Sequence, residues 1–121
     1  MNKLLFLLSI IFPSLVFSQS KVLSADASKH IGDSVIIIDS VYAVKSLPDG
    51  RMLVHLGGES PNQSLTVVIT NEFRRLRKIE EDNLINARIA VTGKLIDENG
   101  IPQIMVTNPQ QIKHVQIYFK K

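Results

Sequence analysis

Apolar and polar residues alternate along five segments of the chain, with the two-residue period of a β-strand that buries one face. In the second segment, Met52, Val54 and Leu56 fall on one face, because successive side chains of a strand point to opposite sides. Valine and isoleucine, which favour strands, outnumber leucine by 23 to eight after residue 19. Strands are therefore predicted over 34–44, 51–56, 65–70, 87–96 and 103–106.

Other residue patterns predict a short helix before the strands, an irregularity within one strand and a turn between two strands. Residues 24–32 are predicted to form two helical turns, which Ser24 begins as a cap and Gly32 ends in the left-handed conformation. Gly93 interrupts the fourth strand, and it predicts a bulge or a sharp bend there. Asn99-Gly100 predicts a tight hairpin turn between the last two strands.

A short helix is predicted between the third and fourth strands. Phe73, Leu76 and Ile79 recur every three residues in it and would plug one end of a barrel. Three strands, a helix and two further strands follow the order of an OB-fold, which is a five-stranded Greek-key barrel. The predicted fold class is therefore all-β with short helices, in an OB-fold barrel whose helix lies between strands 3 and 4.

The N-terminus has the three-part pattern of a secretory signal. Lys3 supplies a positive start, residues 4–12 are apolar, and Pro13 breaks the run. Cleavage is predicted after Ser18 or Ser20. The apolar run is about nine residues long, whereas a helix needs about 20 to cross a bilayer, so no stable membrane anchor is expected. The protein is predicted to be exported, either to the periplasm or beyond the cell.

The predicted organisation has three parts, in which the globular part is one domain. Alternation resumes after residue 112, so the tail is expected to add an edge strand or to pack alone. The parts are a signal over 1–19, an OB-fold domain over 20–112 and a C-terminal tail over 113–121.

Composition removes several classes of chemistry. The chain has no cysteine, which excludes disulfides, thiol catalysis, cysteine-ligated metals and a lipid anchor. His30, His55 and His114 stand far apart and in no metal-ligand spacing. No serine-nucleophile motif or phosphate-binding glycine loop occurs, so a non-enzymatic protein without cofactor or metal is predicted.

Net charge gives little general attraction to nucleic acid or to membranes. Without Lys3, the 14 cationic residues fall to 13 against 11 acidic ones, a formal charge of +2. Such a small excess does not attract phosphate or anionic lipid by itself. Any polyanion must therefore be bound by a local arrangement of side chains.

Short motifs in a fixed order run through the predicted domain. They are His30-Ile31-Gly32-Asp33-Ser34-Val35, Leu56-Gly57-Gly58, Pro61-Asn62-Gln63, Leu65-Thr66-Val67-Val68-Ile69, Val91-Thr92-Gly93-Lys94, Gly100-Ile101-Pro102-Gln103-Ile104 and Pro109-Gln110-Gln111-Ile112. As a set they resemble a family of exported bacterial OB-fold domains described as nucleic-acid-binding-like. The resemblance covers about residues 24–112 and implies the same fold and a similar class of ligand.

Two positions depart from the pattern of that family. Asp39 stands where the family tends to have glycine in strand 1, so a bulge there is expected to be altered or lost. Ser60 stands where an aromatic residue commonly precedes the Pro-Asn-Gln triplet. The resemblance therefore implies a weaker stacking surface for this chain.

OB-folds usually bind ligands on the outer face of strands 2 and 3, between the loops that join strands 1–2 and 4–5. The candidate ligand-binding residues on that surface are Tyr42 at its rim with Lys45, Arg51, His55, Thr66 and Lys94. Only four aromatic residues follow the signal, and base stacking contributes about 1–3 kcal/mol per base, so tight binding of single-stranded DNA is not expected.

Two features allow a functional and a structural interpretation. His55 either contacts the ligand or is an ordinary exposed strand residue. The cations of residues 74–78 either follow a phosphate backbone or form the solvated face of the plug helix. Acidic residues 80–82 offset much of that positive field, which favours the solvated face.

Two functions remain open from the sequence. The first is an exported, non-enzymatic OB-fold module that weakly binds single-stranded nucleic acid or another extended polyanion. The alternative is a structural or interaction module of the cell envelope that binds a protein, peptide or glycan. The scarcity of aromatic residues and the small net charge support the alternative.

Overall fold

The computed structural model describes residues 19–58, 60 and 62–115. The predicted signal up to residue 18 and the tail from residue 116 lie outside the described residues. The strands are β1 (Ser20–Lys21), β2 (Ser34–Ser46), β3 (Met52–Leu56), β4 (Leu65–Ile69), β5 (Arg88–Lys94), β6 (Ile96–Glu98), β7 (Ile101–Val106) and β8 (Ile112–His114). The helices are α1 (Asn71–Arg77) and α2 (Glu81–Leu84), with 3-10 helices at Ser24–His30 and Pro109–Gln111.

The strands form one curved sheet in the order β6-β7-β4-β3-β2-β5-β8, with β1 beside β2. The β4–β7 pair is parallel, while β2 pairs antiparallel with both β3 and β5. Leu95 alone separates β5 from β6, although these two strands lie near opposite ends of the order. This strand order is that of the predicted OB-fold.

The core contains the inward-facing rows that the alternation predicts. Their members are fully or almost fully buried: Met52, Val54, Leu56, Leu65, Val67, Ile69, Ile89, Val91 and Leu95. Burying one such side chain contributes roughly 1.5–3 kcal/mol, so these rows fix which face of each strand turns outward. The opposite face of β3 and β4 carries His55, Thr66 and Val68, which are themselves at most 7% exposed.

The plug helix differs from its prediction at Leu76, which is 74% exposed. α1 ends after Arg77 because Lys78 takes the left-handed conformation (φ 54°) and turns the chain. Among the residues of α1, Phe73 in the first turn is therefore the one that is buried and packs against the core. Leu84 of α2 is 2% exposed and supplies the apolar contact that the sequence assigned to Leu76.

The N-terminal helix also differs from its prediction. Residues Ser24–His30 form a 3-10 helix, and Leu23 rather than Ser24 precedes it. Ser24 is buried and its Oγ donates a hydrogen bond to Oδ2 of Asp39 on β2. The predicted left-handed Gly32 is confirmed, with φ at 95°.

Strand irregularities lie at positions other than those predicted. Gly93 pairs regularly with Val35, so the predicted bulge or bend at this glycine is wrong, and the strand instead breaks at Leu95. A Cβ atom on Gly93 would lie 2.6 Å from Cγ2 of Ile104, so the close approach of Ile104 explains why this position is a glycine. Asp39 pairs in regular register with Ile89 of β5, as expected if a bulge at this position is lost, and the irregularity of β2 lies instead at Tyr42, which the register against β3 skips.

The predicted hairpin turn is confirmed. Asn99 and Gly100 have φ values of 55° and 87°, as a two-residue turn with two left-handed positions requires. Further along the chain, Gln111 donates to the carbonyl oxygens of Thr92 and Met105, and β8 then pairs with β5. Among the described residues, no helix is long and apolar enough to span a membrane.

Candidate functional site

A row of polar side chains crosses the outer face of the sheet. His55 on β3 lies opposite Ala43 of β2 on one side and Thr66 of β4 on the other. Thr66 in turn lies opposite Gln103 of β7. Directly paired residues of neighbouring strands point to the same side, so imidazole, hydroxyl and amide groups stand in one line.

A second row, mostly apolar, runs beside the first. Lys45 of β2 lies opposite Leu53, Leu53 lies opposite Val68, and Val68 lies opposite Met105 of β7. Val68 is 1% exposed, whereas Met105 is 44% exposed. The outer face therefore combines one exposed cation with a flat apolar strip.

Two chain segments form the walls of this face and leave a cavity of about 290 Å³ between them. One wall is the connection between β3 and β4, which contributes Ser60 and Gln63. The other is the β6–β7 hairpin, which contributes Glu98 and Asn99. The hairpin is the loop between strands 4 and 5 that is expected to flank the ligand, whereas the other wall joins strands 2 and 3 and is not the expected loop between strands 1 and 2.

His55 forms part of the cavity floor and is only 5% exposed. Burial lowers the pKa of its imidazole, and the positive charge of Lys45 lowers this pKa further. Both effects disfavour the imidazolium. At neutral pH the imidazole on the floor is therefore uncharged, and among the described residues Lys45 and Glu98 are the charged groups that line the cavity.

Gln63 fastens the loop to the floor. Its Nε2 donates a hydrogen bond to Oγ1 of Thr66 over 3.0 Å, and both residues are buried. Its Oε1 is buried without a hydrogen-bond partner among the described residues. A buried unpaired amide oxygen is costly, so Gln63 holds its position at the expense of one unsatisfied acceptor.

Three of the six predicted site residues meet at this cavity, namely Lys45, His55 and Thr66. The other three lie outside its lining. Tyr42 is 58% exposed on the bulge of β2, and Arg51 turns to Asp49, whose Oδ2 accepts from its Nε over 2.9 Å. Lys94 lies at the far end of β5, opposite Ser34.

The turn that holds Arg51 is fixed by Asp49. The backbone N–H and the guanidinium of Arg51 both donate to this carboxylate. The backbone hydrogen bond is the main cause that lowers the pKa of Asp49. Arg51 therefore serves the turn between β2 and β3 rather than the cavity.

Sequence reasoning missed the amide side chains of the site. Gln63 and Gln103 line the cavity, together with Asn99 of the hairpin. The sequence did mark Gln63 and Gln103, because both belong to the ordered motifs that carry the family resemblance. A neutral amide has no charge or aromatic ring, so nothing in composition singles it out.

The cation cluster of residues 74–78 lies away from this face, on α1. Arg74 is bonded to the chain, donating to the carbonyl oxygens of Ile79 and Gly50 over 3.2 Å and 3.3 Å. Arg75, Arg77 and Lys78 are exposed. Within residues 19–115, apart from 59 and 61, no three His, Asp or Glu side chains converge as a metal site.

Comparison with known proteins identifies the fold. No protein-family model matches the chain, and no curated protein is significantly similar in sequence. The structure resembles an OBody bound to hen egg-white lysozyme, with a TM-score of 0.56 at 12% identity, over 84% of this chain and 99% of that one. It also resembles asparaginyl-tRNA synthetases from Pyrococcus horikoshii and Entamoeba histolytica.

The likeness to the synthetases is confined to one part of them. Their TM-scores are 0.53 and 0.54, at 15% and 17% identity, over 81% and 80% of this chain. The chain spans 23% of the length of each enzyme. At such low identities the comparisons establish the fold alone, and the class of protein that they define is a mostly β OB-fold domain.

Proposed function

We propose that the chain is an exported, non-enzymatic OB-fold module that weakly binds single-stranded nucleic acid or a similar extended polyanion. The observation that carries this proposal is the walled cavity of about 290 Å³ on the outer face, with Lys45 at its edge. The synthetases that share the fold carry tRNA in their names, which supports a nucleic-acid ligand. The family resemblance implies the same class.

Weak rather than tight binding follows from the charges of the face. Lys45 is the cation that lines the cavity, and Glu98 of the hairpin opposes a phosphate on the other side. Tyr42, a predicted aromatic platform within the described residues, lies outside the cavity lining. Electrostatic contacts dominate non-specific binding, for which Kd is typically about 10⁻⁴–10⁻⁶ M.

Fluorescence anisotropy with a labelled single-stranded oligonucleotide at low salt tests the proposal. We expect binding in the range of tens of micromolar protein, a fall in affinity with added salt, and weaker binding by Lys45→Glu. Losing one phosphate contact reduces the salt slope by about 1. Lys29→Glu is the matched control, since Lys29 is exposed and lies on the first 3-10 helix. Absence of binding at low salt would refute the proposal.

A second function is favoured by exposed apolar side chains beside the same face. Met105 is 44% exposed and Ile96 is 38% exposed. The OBody that shares the fold binds a protein, lysozyme. The alternative is thus an envelope interaction module that binds a protein, peptide or glycan. Binding of a partner that persists at high salt and is lost in Met105→Lys would support this alternative over the polyanion.

A further inference from the structure

A groove on another side of the molecule has an apolar floor. It lies where α1, α2, the second 3-10 helix and β8 meet. Its floor is formed by Phe73, Ile79, Leu84, Pro109 and Ile112. Ile79 and Ile112 are half-buried and pack against the core, so the floor is anchored to the barrel.

The rim of this groove is cationic. Arg77, Lys78 and Lys113 are exposed there, beside His114, whose Nε2 lies 3.0 Å from the carbonyl oxygen of Asn83. No aspartate or glutamate is among the described residues that line the groove. None of the three salt bridges found in the described part of the chain involves these cations. Glu80, Glu81 and Asp82, which offset the positive field of this segment, line a neighbouring cavity with Arg74 and Arg75 and not this groove. The rim of the groove itself therefore favours an anionic partner.

The volume of the groove points to a side chain rather than a small molecule. It is about 260 Å³, below the roughly 300–1,000 Å³ of most small-molecule sites. β8 borders the groove and is the last strand in the sheet order, with β5 on one side and no strand on the other among the described residues. Such an edge can pair with an extended peptide.

We propose that this groove binds an acidic partner peptide in extended form, with one large apolar side chain seated on its floor. The apolar anchor displaces water from Ile79 and Ile112, and the acidic residues face Arg77 and Lys113. The surface is separate from the polyanion face, since the two cavities share no lining residue. The proposal therefore goes beyond the proposed function and stands without it.

Anisotropy titration tests this with a short labelled peptide of aspartate and glutamate around a central Leu-Phe pair. The purified protein is expected to bind it, and the same peptide with Ser-Ser at the centre is expected to bind at least about fivefold more weakly. Equal affinity for the two peptides would overturn the proposal, because the floor would then have no role.

A second experiment reverses the charges on the rim of the groove. Arg77→Glu with Lys113→Glu is expected to weaken peptide binding by about tenfold. The matched control is Arg75→Glu with Lys21→Glu, which changes net charge equally at exposed positions outside the groove. Circular dichroism melting compares the folding of both variants. An equal loss in the control pair would overturn the proposal by making the attraction general.

Three further results would assign the groove to another occupant. If a variant that ends at Val115 binds the peptide more than about tenfold tighter, the C-terminal tail occupies the groove and a partner is ruled out. Displacement of the peptide by an unlabelled oligonucleotide would place both ligands on one surface. Binding to vesicles rich in phosphatidylserine without binding to the peptide would assign the rim to a membrane. Each of these results overturns the proposal.

Discussion

At the scale of single residues, burial decides what a side chain can do at the candidate site. His55 is on the outer face of β3, yet the loops that wall the cavity leave it only 5% exposed. Arg51 is exposed but committed to Asp49. The position of a residue on a strand therefore predicts which face its side chain points to. The surrounding loops and turns determine whether that side chain can contact a ligand.

The lowered pKa of His55 predicts a pH-dependent stability. In the unfolded chain this imidazole is protonated below about pH 6.5, whereas the folded protein disfavours the charged form. The free energy of unfolding is thus expected to be highest above pH 6.5 and to fall as the pH drops toward the folded pKa. Urea denaturation at pH 7.5 and 5.5 measures this. His55→Gln is expected to show a smaller decrease, and an identical decrease would contradict the prediction.

The close packing at Gly93 predicts that one added methyl group lowers the free energy of unfolding. An added Cβ would meet Cγ2 of Ile104 at 2.6 Å in the core, so Gly93→Ala is expected to destabilise the protein by about 1–3 kcal/mol. This exceeds the roughly 0.5–1 kcal/mol that alanine gains over glycine in a strand. Denaturant midpoints give the difference. Thr92→Ala on the outer side of the same strand is the control, and an equal or larger effect there would contradict the prediction.

At the scale of elements, the segment between β4 and β5 works as two short helices instead of one. α1 contacts the core through Phe73, and α2 contacts it through Leu84. The turn at Lys78 also brings Ile79 back onto the barrel, where its carbonyl accepts from Arg74. A repeat of apolar residues every three positions therefore describes a broken helix as well as a continuous one.

The two leucines of this segment give a matched pair of substitutions. Leu84→Ala is expected to cost about 2–5 kcal/mol, because Leu84 is 2% exposed. Leu76→Ala is expected to change stability by no more than about 0.5 kcal/mol, because Leu76 is 74% exposed. Thermal or urea denaturation of both variants measures the contrast. Similar losses in the two variants would contradict this assignment of the plug.

At the scale of the whole molecule, the fold follows from strand alternation, and the site follows only in part. The five main strands were predicted because each buries a full face over several residues. β1 and β6 have only two and three residues, which is too short for a period to be read, whereas β8 lies where the alternation of the tail begins and pairs with β5 as an edge strand. Lys45, His55 and Thr66 were predicted by the same alternation, but Gln63 and Gln103 join them through loop closure and strand pairing.

The first strand adds a constraint on processing of the N-terminus. Ser20 pairs with Val35 and Lys21 pairs with Ile36. Cleavage after Ser18 keeps this strand whole, whereas cleavage after Ser20 removes half of it. If the chain is exported as we propose, the mature protein is expected to begin at Gln19, and intact-mass measurement of a secreted or periplasmic form checks this. A mature form that begins at Lys21 would contradict the prediction.

The β6–β7 hairpin is both a pair of strands of the sheet and part of the cavity lining. Glu98 pairs with Ile101 of the neighbouring strand, and both side chains also line the cavity. A molecule bound in the cavity would stabilise this pair of strands, and amide protons along the hairpin would exchange with solvent more slowly while it stays bound. Hydrogen exchange at the hairpin would then report whether the cavity is occupied.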